Sequence, residues 1–169
     1  MTRRVFCDVT IPGQPQAKAR AVPVVNHKRL YAWARGGCQG APPRPRMVTA
    51  PRTAQWETLA AWHCRRACPD RPAHTGPIGA EISAVLQRPQ RLTKPAQRVP
   101  APVAPDADNV AKIALDAAVK AGVIEDDRRI TSLFVRTEYA AIGEAPHLRL
   151  ILFRDDSGVN DADADSARR

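Results

Sequence analysis

Residues 105–127 read PDADNVAKIALDAAVKAGVIEDD, and the rest of the chain is best understood from this stretch. Val110, Ile113, Ala114, Ala117 and Ala121 recur with helical spacing and cover a wide apolar face. Asn109, Lys112, Asp116 and Lys120 line up as one narrow polar ridge. The pattern predicts a helix over about residues 108–121, stopped by Gly122 at its C′ position. Carboxylates crowd both ends: Asp106 and Asp108 before the helix, Glu125, Asp126 and Asp127 after it.

Working outward, Ile130–Tyr139 and His147–Phe153 alternate as strands, with Gly143-Glu144-Ala145-Pro146 as the turn between them. Their adjacency predicts an antiparallel hairpin. Upstream, Ile78, Ala80, Ile82, Ala84 and Leu86 mark another strand, joined to the helix by the Pro-rich connector 88–105. A helix is expected over residues 51–67, with Trp56, Leu59, Ala60, His63 and Ala67 on its stripe. Near the start, Val5, Cys7, Val9 and Ile11 share one face of a strand. The stretch from Pro12 to about Ala50 has no clear period and reads as a long irregular loop, of a length that is usually functional or disordered.

The expected fold is therefore α+β: a small single domain with a mixed β-sheet of about four strands and two helices. Its order is β-loop-α-β-loop-α-β-β, with the central helix long enough for a parallel crossover. The domain is expected over residues 1–153. The acidic tail 154–169 has too few large apolar residues to fold and is expected to be disordered.

The net charge of +9 is unevenly distributed. Residues 1–100 hold 17 Lys/Arg against 4 Asp/Glu, whereas residues 101–153 hold 6 against 8. A basic half of this kind attracts a polyanion through counterion release. No apolar run is long enough to span a bilayer, and Asp8 and Pro12 interrupt what could pass for a secretory leader. The expected location is cytoplasmic, with Cys7, Cys38, Cys64 and Cys68 as free thiols. Cys64, Cys68, His63 and His74 invite a zinc reading, but they lack the tight Cys-x-x-Cys units of structural zinc sites.

Acid concentrated in one place within a cationic chain points to a divalent-metal site where a polyanion binds. Carboxylate oxygens suit hard ions such as Mg²⁺ or Mn²⁺. Lys112, one turn beyond Asp108, can reach back toward the same place. Two plainer readings remain open here: Asp108 as a helix N-cap, and Asp126-Asp127 as a solvated turn. A calcium-loop reading is weaker, since Val110 and Ala111 occupy positions where an EF-hand wants an oxygen ligand and glycine. Tyr31 and Trp33 lie in a basic loop beside Lys28, Arg29 and Arg35, where they fit either base stacking or loop packing.

The run Asp106-Ala107-Asp108-Asn109-Val110-Ala111-Lys112, then Asp116, then Glu125-Asp126-Asp127, resembles the signature of the RusA family of Holliday-junction resolvases, carried by phages and prophages. Gly13-Gln14-Pro15-Gln16-Ala17-Lys18-Ala19-Arg20 is similar to the family's amino-terminal Gly-x-Pro-x-x-Lys-x-Arg element. The resemblance covers about residues 5–153. It implies an endodeoxyribonuclease that uses Mg²⁺, with Mn²⁺ as a substitute, and acts as a homodimer on four-way or branched DNA in a bacterial host cell. It also implies that Asp106, Asp108 and Asp127 are catalytic metal ligands with Asp126 beside them, and that Lys112 is the catalytic lysine. Lys18 and Arg20 are implied DNA contacts, joined by Lys28, Arg29 and Arg35 of the basic loop. The alternatives are a non-catalytic binder of branched DNA or a nuclease for flaps and forks. Arg35–Arg46 and the connector 88–105 look expanded relative to a compact family member.

Overall fold

β7 (His147–Arg154) is an interior strand of the sheet. Leu148, Leu150 and Leu152 are fully buried on one of its faces, and Phe153 is nearly so. It lies between β1 (Val5–Pro12) and β4 (Ile78–Leu86), antiparallel to both. On the far side of β4 runs β6 (Ile130–Tyr139), parallel to it, and the two-residue β5 (Val99–Pro100) closes that edge. The order β1-β7-β4-β6-β5 makes a mixed five-stranded sheet. The computed structural model describes residues 4–18, 21–69 and 73–155, so Arg20 and most of the proposed tail lie outside the described residues.

Two helices pack on one face of this sheet, α2 (Pro51–Ala67) and α3 (Ala107–Lys120). The α3 face predicted to be apolar is buried throughout: Val110, Ile113, Ala114 and Ala117 have no exposed surface. Small side chains let α3 lie close to α2 and the strands. α2 begins at a proline in its first turn, where the missing N–H costs nothing. Its buried stripe is Thr53, Trp56, Ala60, Ala61 and Cys64, so the expected stripe is rotated: Leu59 is exposed, and Cys64 rather than His63 faces inward. Burial pushes the Cys64 thiol up to about 12.

The structure differs from the sequence-based expectation in two further places. β6 and β7 are not a hairpin. They flank β4, and residues 140–146 carry the chain across its end. β6 leaves Thr131, Ser132, Leu133 and Phe134 exposed near the sheet's edge, whereas β7 buries Leu148, Leu150 and Leu152 in its interior. The stretch from Pro12 to Ala50 is also not structureless. It contains β2 (Val22–Val24), α1 (His27–Arg35) and β3 (Arg46–Val48), with β2 and β3 paired antiparallel.

Arg88 gathers much of the Pro-rich connector with one side chain. Arg88 donates from Nε to Leu92 O at 2.7 Å and from a terminal nitrogen to Ala140 O at 2.8 Å, and it also reaches Pro95 O. The stretch before β5, which joins no ladder, is thereby fixed to the end of the sheet.

Candidate active site

Asp106 occupies the position just before α3, in extended conformation, yet its side chain makes no capping bond to the helix backbone. Its carboxylate accepts instead from Asn109 Nδ2 at 2.7 Å. That bond above all, with smaller help from Asp108, holds the Asp106 carboxyl below its ordinary range. Asp108 lies inside the first turn and is exposed, as is Lys112 on the next turn. The N-cap reading of Asp108 is thus excluded by position. Two carboxylates stand side by side at the positive end of a helix dipole, with a lysine following.

The second acidic group sits at the other end of α3. A parallel bridge between His74 and Ile124 pins the exit of the helix, with Glu125 N donating to His74 O at 3.2 Å. Arg65 Nε, on α2, donates to Ala121 O at 3.3 Å and satisfies one of the terminal carbonyls. A single 3-10 turn, Asp127–Arg129, then leads into β6. Asp126 caps that turn: it accepts from the Arg128 backbone at 2.9 Å and from its guanidinium at 3.0 and 2.8 Å. These bonds hold its carboxyl far below the usual carboxylate range. Asp126 therefore has a structural task of its own, whereas Asp127 is exposed beside it.

Lys18 ties the two ends together. Its backbone N–H donates to Asn109 O at 3.3 Å, beside the first acidic pair. Its ammonium lies 2.7 Å from Asp116 Oδ2 and 2.7 Å from Glu57 Oε2. Partial burial disfavours the charged form, but the bonds to Asp116 and then Glu57 outweigh it, and the Lys18 pKa is raised. Lys120 approaches the same Glu57 at 3.7 Å and donates to Thr58 Oγ1 at 3.1 Å. A cavity of about 420 Å³ opens here, lined by Lys18, Glu57, Asp116, Lys120, Asp126 and Asp127, among others.

The acids thus form an arc along the polar ridge of α3. Asp106 and Asp108 begin it, Asp116 lies about 12 Å further along the helix axis, and Asp126 and Asp127 face that far end. Among the described residues, no three His, Cys, Asp or Glu side chains converge closely enough to hold a metal ion. The adjacent pair Asp106 and Asp108 has the donor chemistry that Mg²⁺ takes, because this ion is commonly bound by one or two carboxylates, with waters and substrate phosphate completing the shell.

The expected DNA contacts are distributed differently. Lys18 is engaged by two carboxylates. Lys28 and Arg29 lie in the exposed first turn of α1, and Arg35 ends that helix with its guanidinium 5.4 Å from the Tyr31 ring centre. Glu57 was not anticipated from sequence. It is the sole acid in α2, and no local spacing ties it to Lys18 or Asp116.

The fold and site define a small α+β domain in which a strongly basic amino-terminal half is joined to a ridge of carboxylates along α3. The model of one family, Endodeoxyribonuclease RusA, matches residues 12–152. The chain belongs to this RusA endodeoxyribonuclease family. No match was found among curated proteins. Among the described residues, no helix is long and apolar enough to cross a membrane.

Proposed function

We propose that this protein is a metal-dependent endodeoxyribonuclease that resolves Holliday junctions and related branched DNA by paired phosphodiester hydrolysis. Family membership supports a DNA-cleaving activity. The observation that carries the assignment within the chain is the Asp106–Asp108 pair: two exposed carboxylates at a helix N-terminus, neither used as a cap, with Lys112 one turn away.

Asp106 and Asp108 would hold a Mg²⁺ or Mn²⁺ ion, with waters and substrate phosphate completing its shell; Asp127, with Asp126 beside it, would add further carboxylates facing the substrate from the far end of the α3 ridge. Such an ion supplies charge neutralisation at the phosphate and a water of lowered pKa. Asn109 keeps the Asp106 carboxylate ionised and fixes its orientation. Lys112 places an ammonium where it can stabilise charge developing at the scissile phosphate. Lys18 acts as a strut holding the amino-terminal segment on α3. Two symmetric cuts in a four-way junction require two such sites, which a two-fold homodimer provides. A cytoplasmic location in a bacterial host, with a phage or prophage source, is part of the same proposal.

The test is cleavage of a labelled synthetic four-way junction with and without Mg²⁺. Paired nicks that require the ion support the reading; intact junction under both conditions overturns it. A second reading, a binder that holds branched DNA without cutting it, is favoured by the lack of a three-carboxylate cluster among the described residues. It predicts a shifted band without nicks in the same assay. Flaps and forks belong in the substrate panel, run at moderate salt because low salt inflates non-specific binding.

A further inference from the structure

Residues 22–48 leave the domain and return to it as a closed arm. The pairing of β2 with β3, Val22 opposite Val48 and Val24 opposite Arg46, ties its two ends together. Within the arm, α1 is started by Asn26, whose side chain accepts from Arg29 N at 3.2 Å. After α1, Gly37, Cys38 and Gly40 take positive φ, which glycine allows at two of the three places. The resulting tight loop brings Gly40 O to 3.2 Å from Trp33 Nε1. The expanded Arg35–Arg46 segment is therefore a fold-back that fastens onto Trp33.

The two aromatic residues of α1 consequently do different things. Trp33 is half-buried and packs the loop; Tyr31 is 64% exposed. Arg35, one turn along, lies over the Tyr31 ring. No residue of α1 is buried, so Tyr31 contributes nothing to the core. Residues 22–48 hold Lys28, Arg29, Arg35, Arg44 and Arg46 and no Asp or Glu. The arm also starts four residues after Lys18, which is bonded to α3 beside Asp106 and Asp108, and returns into α2, which carries Glu57.

From this placement we infer that the arm grips the branch point of the DNA, with Tyr31 as the surface on which a base unstacked at strand exchange is laid. The inference rests on the nuclease reading above and gives the substrate a second, chemically distinct contact. The five cations and absent acids fit a polyanion. An exposed ring backed by a guanidinium fits the π-face of a base, and this recognition is indifferent to base identity. Perfect duplex offers no free base face, so the contact discriminates branched from linear DNA.

The experiment measures binding of a fluorescent four-way junction, and of linear duplex of the same sequence, without divalent ion so that nothing is cut. The proteins are the parent, Tyr31→Ala and Tyr31→Phe. Loss of one base–aromatic stack is expected to weaken junction binding by about tenfold in Tyr31→Ala, with a change under about twofold for duplex. Tyr31→Phe should bind as the parent does, because the ring and not the hydroxyl is used. Unchanged junction affinity in Tyr31→Ala, or an equal loss on both DNAs, overturns the inference. So does a change of oligomeric state in sedimentation, which would make the arm a contact between copies of the chain. A parent protein with no preference for junction over duplex would instead remove the functional reading on which this one stands.

Discussion

The Lys18 ammonium sits 2.7 Å from the Asp116 carboxylate, bridging residues 98 positions apart in the chain. The contact joins the amino-terminal segment to the helix that carries the acidic pair, and Glu57 on α2 completes it from the other side. Three elements remote in sequence are thereby locked around one charge. Replacing Lys18 with Met leaves two half-buried carboxylates facing each other. The expected loss is about 1–3 kcal/mol, or roughly 2–4 °C in Tm per kcal/mol for a chain of this size. Because the Lys18 pKa is raised above 10.5, its stabilisation is complete below that pH and disappears as pH climbs past the folded value. Thermal melts of parent and variant should therefore differ by a constant amount from pH 6 to 9 and converge in stronger base.

Asp108→Asn removes charge from the acidic pair and nothing from the core. Junction cleavage should fall below detection while junction binding in the absence of divalent ion stays within about threefold of the parent. Nicking at the parental rate would take Asp108 out of the site.

Asp127→Asn asks a different question, since Asp127 faces the Asp116 end of the ridge. If it belongs to the catalytic set, single-turnover cleavage should drop by at least about a hundredfold with Tm unchanged. A parental rate would confine the chemistry to the α3 N-terminus.

Glu144 holds the connector to the chain crossing at 140–146 by accepting from Arg98 Nε at 2.9 Å. Arg98 foremost lowers its pKa from 4.5 to about 2. The stabilisation is present above the ordinary carboxylate value and is lost as pH falls through about 2. At neutral pH, Glu144→Gln should lower Tm by about 1–3 °C, the range of an exposed ion pair. The difference from the parent should close in acid.

Gly79, on β4, has no room for a side chain. An added Cβ would overlap the Phe153 ring and come within 2.8 Å of Ser132 Oγ. Gly79→Ala should lower Tm by about 4–10 °C through overpacking, read by circular dichroism. Gly143→Ala, whose added carbon meets nothing within 4 Å, carries only the strain of its φ of +83° and should cost less.

Local signals made the two long helices legible. The expected helix at 51–67 coincides with α2, and the one at about 108–121 is offset by a single residue from α3. Proline at the start of α2 and Gly122 after α3 act on adjacent backbone, so no tertiary knowledge was needed. Strand identity was legible for the same reason, but strand neighbours were not. β7 takes a central place because Leu148, Leu150 and Leu152 must be covered, and adjacency in sequence gave the wrong partner. The arm at 22–48 was not legible because its strands are three residues long and its nine-residue helix buries no face, so neither is tied to a core pattern.

By itself the sequence determined the chemistry available: a basic half, a ridge of acids along α3, and a signature that belongs to one nuclease family. These follow from composition and from spacings within a few helical turns, which backbone geometry converts directly into neighbours. Only the tertiary structure decided which acids stand together. Asp106 and Asp108 are neighbours through the local geometry of the first turn of α3, whereas Glu57, Asp116 and Lys18 meet because the sheet and two helices close around them. A long-range contact depends on how the whole core packs, and no short stretch of chain encodes that.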